Sequence, residues 1–271
     1  MAECAFFQQK GDMEMYDFMS GLLADKKDGV IFTCFGVWHW IYMGVILGII
    51  VLAVLWLRGQ SRYSKQRAIT GFINCAFGLY VLDFFLMPFA YGEIDIEKLP
   101  FHICTAMCVM CFLSRHVEWL KGLRLQFAVL GLISNLVYLL YPAGIGWYEI
   151  HPLSYRAVQT LLFHGLMSGY GVSVLVLDDL KHEWRDLWKD LLVLAAMTLW
   201  ALLGNNLYNG IGGDYSYPFN WFFVIQDPFY ILPPETAKMI MPFAAPLAFF
   251  VVELAVYGVW KWRKKVSGRR Y

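Results

Sequence analysis

Residues 36–57 read GVWHWIYMGVILGIIVLAVLWL, a run without a formal charge that ends abruptly at Arg58. At about 1.5 Å of rise per residue, a helix of this length crosses the roughly 30 Å hydrocarbon core of a bilayer. Six further segments have the same character, at 68–90, 100–114, 124–142, 157–177, 187–207 and 238–260. Of the 271 residues, 59% are hydrophobic and only 16% are charged, too few charges to clothe a soluble domain of this size. The short alternating segments of a β-barrel are missing. The expected fold class is therefore all-α: a polytopic membrane protein of about seven transmembrane helices. A net charge of +1 gives no reason to expect a nucleic-acid partner.

The basic residues set an orientation. Arg58, Arg62, Lys65 and Arg67 follow the first span; Arg115, Lys121 and Arg124 separate the third from the fourth. Lys181, Arg185 and Lys189 precede the sixth, and Lys261, Arg263, Lys264, Lys265, Arg269 and Arg270 follow the last. That puts 16 of 22 basic residues on one face, which the positive-inside rule assigns to the cytoplasm. The amino terminus is then outside and the carboxyl terminus inside. The opening MAECAFFQQKGDMEMYDF shows no cleavable signal, so the first span is expected to direct insertion.

Three regions follow: an extracytoplasmic segment 1–35, a seven-helix domain 36–260 with an outer loop at 208–237, and a basic tail 261–271. Met13, Met15, Phe18, Met19, Leu22 and Leu23 give residues 12–24 the spacing of an interfacial amphipathic helix. The stretch from Asn209, NGIGGDYSYPFNWFFVIQDPFYILPPETA, is rich in aromatics and proline. It suits either an interfacial anchor or a cap over a cavity. Of the six cysteines, Cys4 and Cys34 share the outer aqueous side and a disulfide between them is an option.

Polar residues within spans are costly, about 2.5–3.5 kcal/mol each on insertion scales, and so require a reason. His39, Asp83, His102, Cys104, Asn135, His164, Asn205, Asn206 and Tyr208 all fall in the outer half of their helices, whereas Asn74 and Glu253 do not. The economical expectation is one polar cavity opening to the outer side. Bland readings stand beside it: His39 as an interfacial residue, Asp83 as a structural acceptor, and Asn135 and Asn205 as interhelical glue. His164, between Phe163 and Gly165, is hardest to explain structurally.

The stretch LPFHICTAMCVMC at 99–111 places His102 and Cys104 two apart, on opposite sides of a regular helix. They share a site only if the turn after Pro100 is irregular. Cys104, Cys108 and Cys111 form an i, i+4, i+7 stripe, read as a small-residue packing seam rather than a zinc or copper site, whose ligands are usually paired more clearly. No metal or other cofactor is expected. Chemically, a Cys thiolate can attack an ester and carry an acyl group if a base takes its proton, and His102 and His164 are candidate bases. Asp83 can orient an imidazole; Asn205 or Asn206 can stabilise an oxyanion.

FTCFGVWHWIYMGV around His39, LPFHIC around His102, LLFHG around His164 and GNNLY at Asn205 together resemble the YwaF-like family of bacterial integral membrane proteins, related to eukaryotic transmembrane protein 164. The resemblance runs nearly end to end. It implies a compact helical membrane fold, a multi-pass location in a bacterial plasma membrane, and acyl transfer from a phospholipid. His102 and His164 match the family pattern. The eukaryotic nucleophile is a Cys directly before the first His, where this chain has Phe101, so Cys104 would have to substitute for it. The usual Asn-Tyr after the glycine of the sixth span reads Asn205-Asn206 here.

The expectation is thus a membrane-embedded lipid acyltransferase or acyl hydrolase, with His102, Cys104 and His164 as catalytic residues and a membrane phospholipid as partner. The alternative is a transporter or a lipid- or small-molecule-binding membrane protein using the same cavity without chemistry. Docking to a partner membrane subunit, or self-association, is compatible with the small-residue seams.

Overall fold

The computed structural model describes residues 15–26, 29–210, 219–228 and 230–266. The chain is an all-α polytopic membrane protein. After α1 (15–23), its spans are α2 (Val37–Arg58), α3 (Arg62–Ala90), α4 (Ile103–His116), α5 (Arg124–Leu140), α7 (Tyr155–Leu177), α8 (Leu187–Gly210) and α9 (Pro234–Val266). The short α6 (Ala143–Gly146) lies between α5 and α7. Six of the spans are long and apolar enough to cross a bilayer, and α4 is a shorter apolar helix.

Helix α7 is the hub. Protein buries 78% of its most apolar window, against 22% for α2 and 17% for α9, which therefore present most of their surface to lipid. Its sequence explains the position, because small residues punctuate it on several faces. A Cβ on Gly165 would lie 3.0 Å from Ile46 of α2, and one on Gly169 would lie 2.9 Å from Phe72 of α3. One on Gly171 would meet Leu132 Cβ at 2.6 Å and the Ala128 carbonyl at 2.9 Å on α5. Apolar side chains gain little from meeting each other in lipid, so close backbone approach through small residues is what drives such packing. Gly171→Ala forces a methyl against α5 backbone that cannot yield. It is expected to cost about 1–3 kcal/mol, seen as a lowered unfolding temperature in detergent.

Helix α4 begins at Ile103, three residues later than its sequence suggests. Pro100, Phe101 and His102 form a turn, with the Phe101 amide donating to Leu99 O at 2.7 Å. The Pro100 carbonyl accepts from Trp200 Nε1 of α8 at 2.7 Å, and Thr105 Oγ1 donates back to Leu99 O and His102 O. His102 is the extended N-cap residue. At about 21 Å, α4 is shorter than the hydrocarbon core, and the 3-10 turn Glu118–Leu123 continues the chain towards α5.

At the other end of α8 and α9 the bounds also shift. α8 runs to Gly210, and α9 starts at Pro234, a residue suited to the first helical position because it lacks an amide hydrogen. Residues 219–228 fold into the bundle, leaving Trp221 and Phe222 1% and 0% exposed. At the basic end, the entry to α8 is a capping box between Glu183 and Asp186. The Glu183 amide, with help from Lys189, holds the Asp186 carboxyl below its usual range.

α1 lies against the end of α3: the Tyr16 ring sits 5.5 Å from that of Phe89, tilted by 45°, and its hydroxyl donates to Pro88 O. Met15, Phe18 and Leu22 are left exposed on one side, as an interfacial helix requires. Residues 12–14 of that expected helix, and Cys4 of the suggested disulfide, lie outside the described residues.

Candidate functional site

The condition for His102 and Cys104 to face a common site, an irregular turn after Pro100, is present. From α4, the buried Cys104 thiol lies within hydrogen-bond reach of Ser134 on α5. One helical turn along α5, the Tyr138 ring stacks on His164 of α7, centroids 3.8 Å apart and planes 16° from parallel. His102 acts electrostatically on His164, and Lys98 acts on both imidazoles. Ser134 and Tyr138, one turn apart on α5, therefore lie between Cys104 and His164.

His164 has a defined tautomer. Its Nδ1 is 2.8 Å from the Thr160 carbonyl, an acceptor only, so Nδ1 carries the hydrogen. The neutral ring then has its lone pair at Nε2, which none of the hydrogen bonds among the described residues engages. A polar chain leads outward from this residue. Thr160 Oγ1 donates to Gln159 Oε1 at 3.2 Å, Lys98 Nζ donates to the same oxygen at 3.3 Å, and Lys98 pairs with Asp83 at 3.3 Å. Among the described residues, no hydrogen bond joins the Cys104 thiol to either imidazole.

The remaining polar residues do not converge on one cavity. Fully buried His39 accepts at Nδ1 from the Phe35 amide at 2.9 Å, so its Nε2–H donates to Leu139 O at 2.8 Å. Both nitrogens are spent on tying the entrance of α2 to the end of α5. His39→Leu strands both backbone groups. A stability loss of about 1–3 kcal/mol is expected, read by thermal denaturation, with turnover per folded molecule unchanged. Asp83 accepts from Tyr155 at 2.9 Å and Tyr91 at 3.3 Å besides pairing with Lys98. It anchors α3 to α7 and to the loop before α4. Asn206 is exposed on α8.

Asn135 sits beside Ser134. Its Nδ2 donates to Gly131 O at 2.7 Å, while its buried Oδ1 has no hydrogen-bond partner among the described residues. An unsatisfied buried acceptor in a packed interior is uncommon. This one lies next to Ser134, near Cys104, and is open to a donor from a bound molecule.

Asn205 fastens residues 219–228 to α8. Its Oδ1 accepts from the Trp221 amide at 2.9 Å and its Nδ2 donates to Trp221 O at 3.1 Å. Asn209, which sequence reasoning passed over, makes the same double bond to Phe219, at 2.7 and 2.9 Å. The geometry fits. Four residues of helix advance about 6 Å, and two residues of extended chain about 6.6 Å, so asparagines at i and i+4 meet alternate residues of the loop. The signal was an Asn-x-x-x-Asn spacing opposite an aromatic loop.

Phe101, directly before His102, is committed to packing. It stacks between Trp200 and Trp221 at 4.9 and 5.0 Å, with Tyr208 against its edge at 5.9 Å. A Cβ on Gly204 would lie 2.4 Å from its ring. The LPFHIC and GNNLY pieces are thus two halves of one contact. A second buried polar cluster went unread at the basic end, where Asp190 accepts from Tyr257 and pairs with His182 at 3.1 Å. Among the described residues, no group of His, Cys, Asp and Glu is arranged to hold a metal ion.

No curated protein and no solved structure matches the chain. A family model does, that of the TMEM164 family, over residues 34–264. That stretch takes in all seven spans but the last two residues of α9, with all the candidate residues, and the chain belongs to the TMEM164 family.

Proposed function

We propose that this membrane protein transfers or releases acyl chains of a membrane phospholipid, with His164 as general base. The observation that carries the reading is the state of His164: Nδ1–H held by a backbone carbonyl, ring braced by Tyr138, Nε2 uncommitted. A base so oriented can take the proton of an attacking hydroxyl or water while the ester carbonyl is attacked. His102 and Lys98, which act electrostatically on His164, are the groups that would stabilise negative charge developing on the ester oxygen. Cys104, near Ser134 and without a hydrogen bond to either imidazole among the described residues, serves as a wall of the site or as an acyl carrier that must first reorient.

The orientation we propose puts the basic end in the cytoplasm and the site near the outer leaflet of a bacterial plasma membrane. Lys98, Arg156 and Lys238 at the opposite end are each paired with carboxylates, which deepens the asymmetry. An acyl donor there is a bilayer phospholipid rather than a soluble cytoplasmic thioester.

The test is to incubate purified protein with mixed phospholipids and follow lysophospholipid, free fatty acid and new acyl products by mass spectrometry. Conversion by the wild type supports the reading. The missing thiol–imidazole bond favours a second one, a cavity that binds lipid without reacting. Well-folded wild type that retains phospholipid unchanged would establish that instead.

A further inference from the structure

A groove of about 480 Å³ lies on the basic end of α3, lined by Tyr63, Gln66, Arg67, Thr70, Gly71 and Asn74. None of the residues considered above for acyl chemistry is in it. Its polar lining continues along α3 to Asn74, about 9 Å past the start of the apolar run at 68. Exposed polar side chains at that depth are costly unless something polar meets them.

The groove's hydrogen-bonding groups divide cleanly. Gln66 and Thr70 are spent: Gln66 donates to Asp178 at 2.8 Å, and Arg115 donates to Gln66 Oε1 at 3.0 Å and to Thr70 Oγ1 at 2.8 Å. Asn74 Oδ1 is occupied by His116 Nε2 at 2.9 Å, which leaves the Asn74 amide hydrogens. Arg67 is exposed and makes no ion pair among the described residues. The nearby acids are already taken, Asp178 by Arg115 and Asp179 by Arg62. What remains is donors and one positive charge, with no carboxylate on the lining. That is the complement of a phosphate.

The same helix face says what the phosphate belongs to. Continuing by steps of three and four from Asn74, the face presents Gly78, Leu82 and Phe85, all exposed and apolar. A polar, cationic stretch at the level of the headgroups passes into an apolar stretch at the level of the acyl chains. We propose that this groove binds an anionic phospholipid by its headgroup, with an acyl chain along the rest of α3. The site is separate from the one around His164 and stands whether or not that one is catalytic.

The protein, purified in detergent, is exposed to vesicles of phosphatidylglycerol or of phosphatidylcholine, and retained lipid is read by native mass spectrometry. The wild type is expected to prefer phosphatidylglycerol, and Arg67→Gln to weaken that retention about fivefold, the effect of one cationic side chain at a membrane surface. Gly71→Leu is the second variant. A Cβ there meets nothing within 4 Å, so the fold tolerates it while the side chain fills the groove, and retention is again expected to fall. Equal retention of both lipids, or undiminished retention in both variants, would overturn the proposal. So would thermal protection by inorganic phosphate equal to that by phosphatidylglycerol, which would mark a simple anion site.

Discussion

Replacing His164 with Gln is expected to abolish phospholipid conversion, a loss of about 10²–10⁴-fold, the usual contribution of a positioned general base. The fold should survive. A glutamine amide can still donate towards the Thr160 carbonyl, which now receives Nδ1–H at 2.8 Å, and the position stays packed against Tyr138 and Phe163. What glutamine cannot supply is a nitrogen lone pair that takes and returns a proton near neutral pH. Cys104→Ala separates the two routes of transfer. With His164 activating the acceptor directly, activity falls by less than about tenfold, because only the Ser134 contact is lost. With an acyl-cysteine intermediate, the loss matches that of His164→Gln. An active His164→Gln enzyme, its unfolding temperature unchanged, would remove His164 from the chemistry altogether.

The helical architecture was legible because the bilayer imposes it: hydrocarbon tolerates only segments that satisfy their own backbone, and those leave a long apolar signature. The α2 run from Gly36 to Leu57 differs from the observed helix by one residue at each end. The late start of α4 was less legible, since what holds Pro100 out of the helix is Trp200, a hundred residues away. The central place of α7 is visible only in hindsight, in its glycines, because a sequence shows small residues without naming the helices they admit.

The polar residues show where one-dimensional reading stops. The sequence reads His39 as an interfacial residue and His164 as the harder one to explain structurally, but it cannot say what separates them. The structure does, through a single difference in wiring. His39 receives a backbone amide on one nitrogen and gives to a carbonyl with the other, whereas His164 uses one nitrogen only. Likewise Asp83, Asn205 and Tyr208 share a leaflet with His164 because the loops at that end, before α4, after α6 and after α8, need polar fastenings. A layer of polar residues therefore reports fastening and chemistry together.

Trp221→Ala is expected to be the most destabilising single change at that end, at about 3–5 kcal/mol, the cost of emptying a buried aromatic site. Trp221 is 1% exposed and contacts Phe101, Tyr208 and Phe219, so its removal opens a void that no neighbour fills cheaply. Phe222 and Phe223 add a further reason. Both adopt positive φ, 59° and 55°, a strained choice for bulky residues that persists only while packing enforces it. Asn205→Leu tests the fastening without the cavity. It leaves the Trp221 amide and carbonyl buried and unpaired, for an expected loss of about 2–5 kcal/mol. The reporter is built in once Cys4, Cys34 and the exposed Cys75 are replaced by Ser: Cys104, Cys108 and Cys111 are buried, so a thiol-reactive fluorophore then brightens as the bundle opens. Both variants should shift its melting curve down by many degrees. A shift no larger than that of an exposed control such as Trp119→Ala would show that residues 219–228 rest on the bundle as an anchor and contribute nothing to closing it.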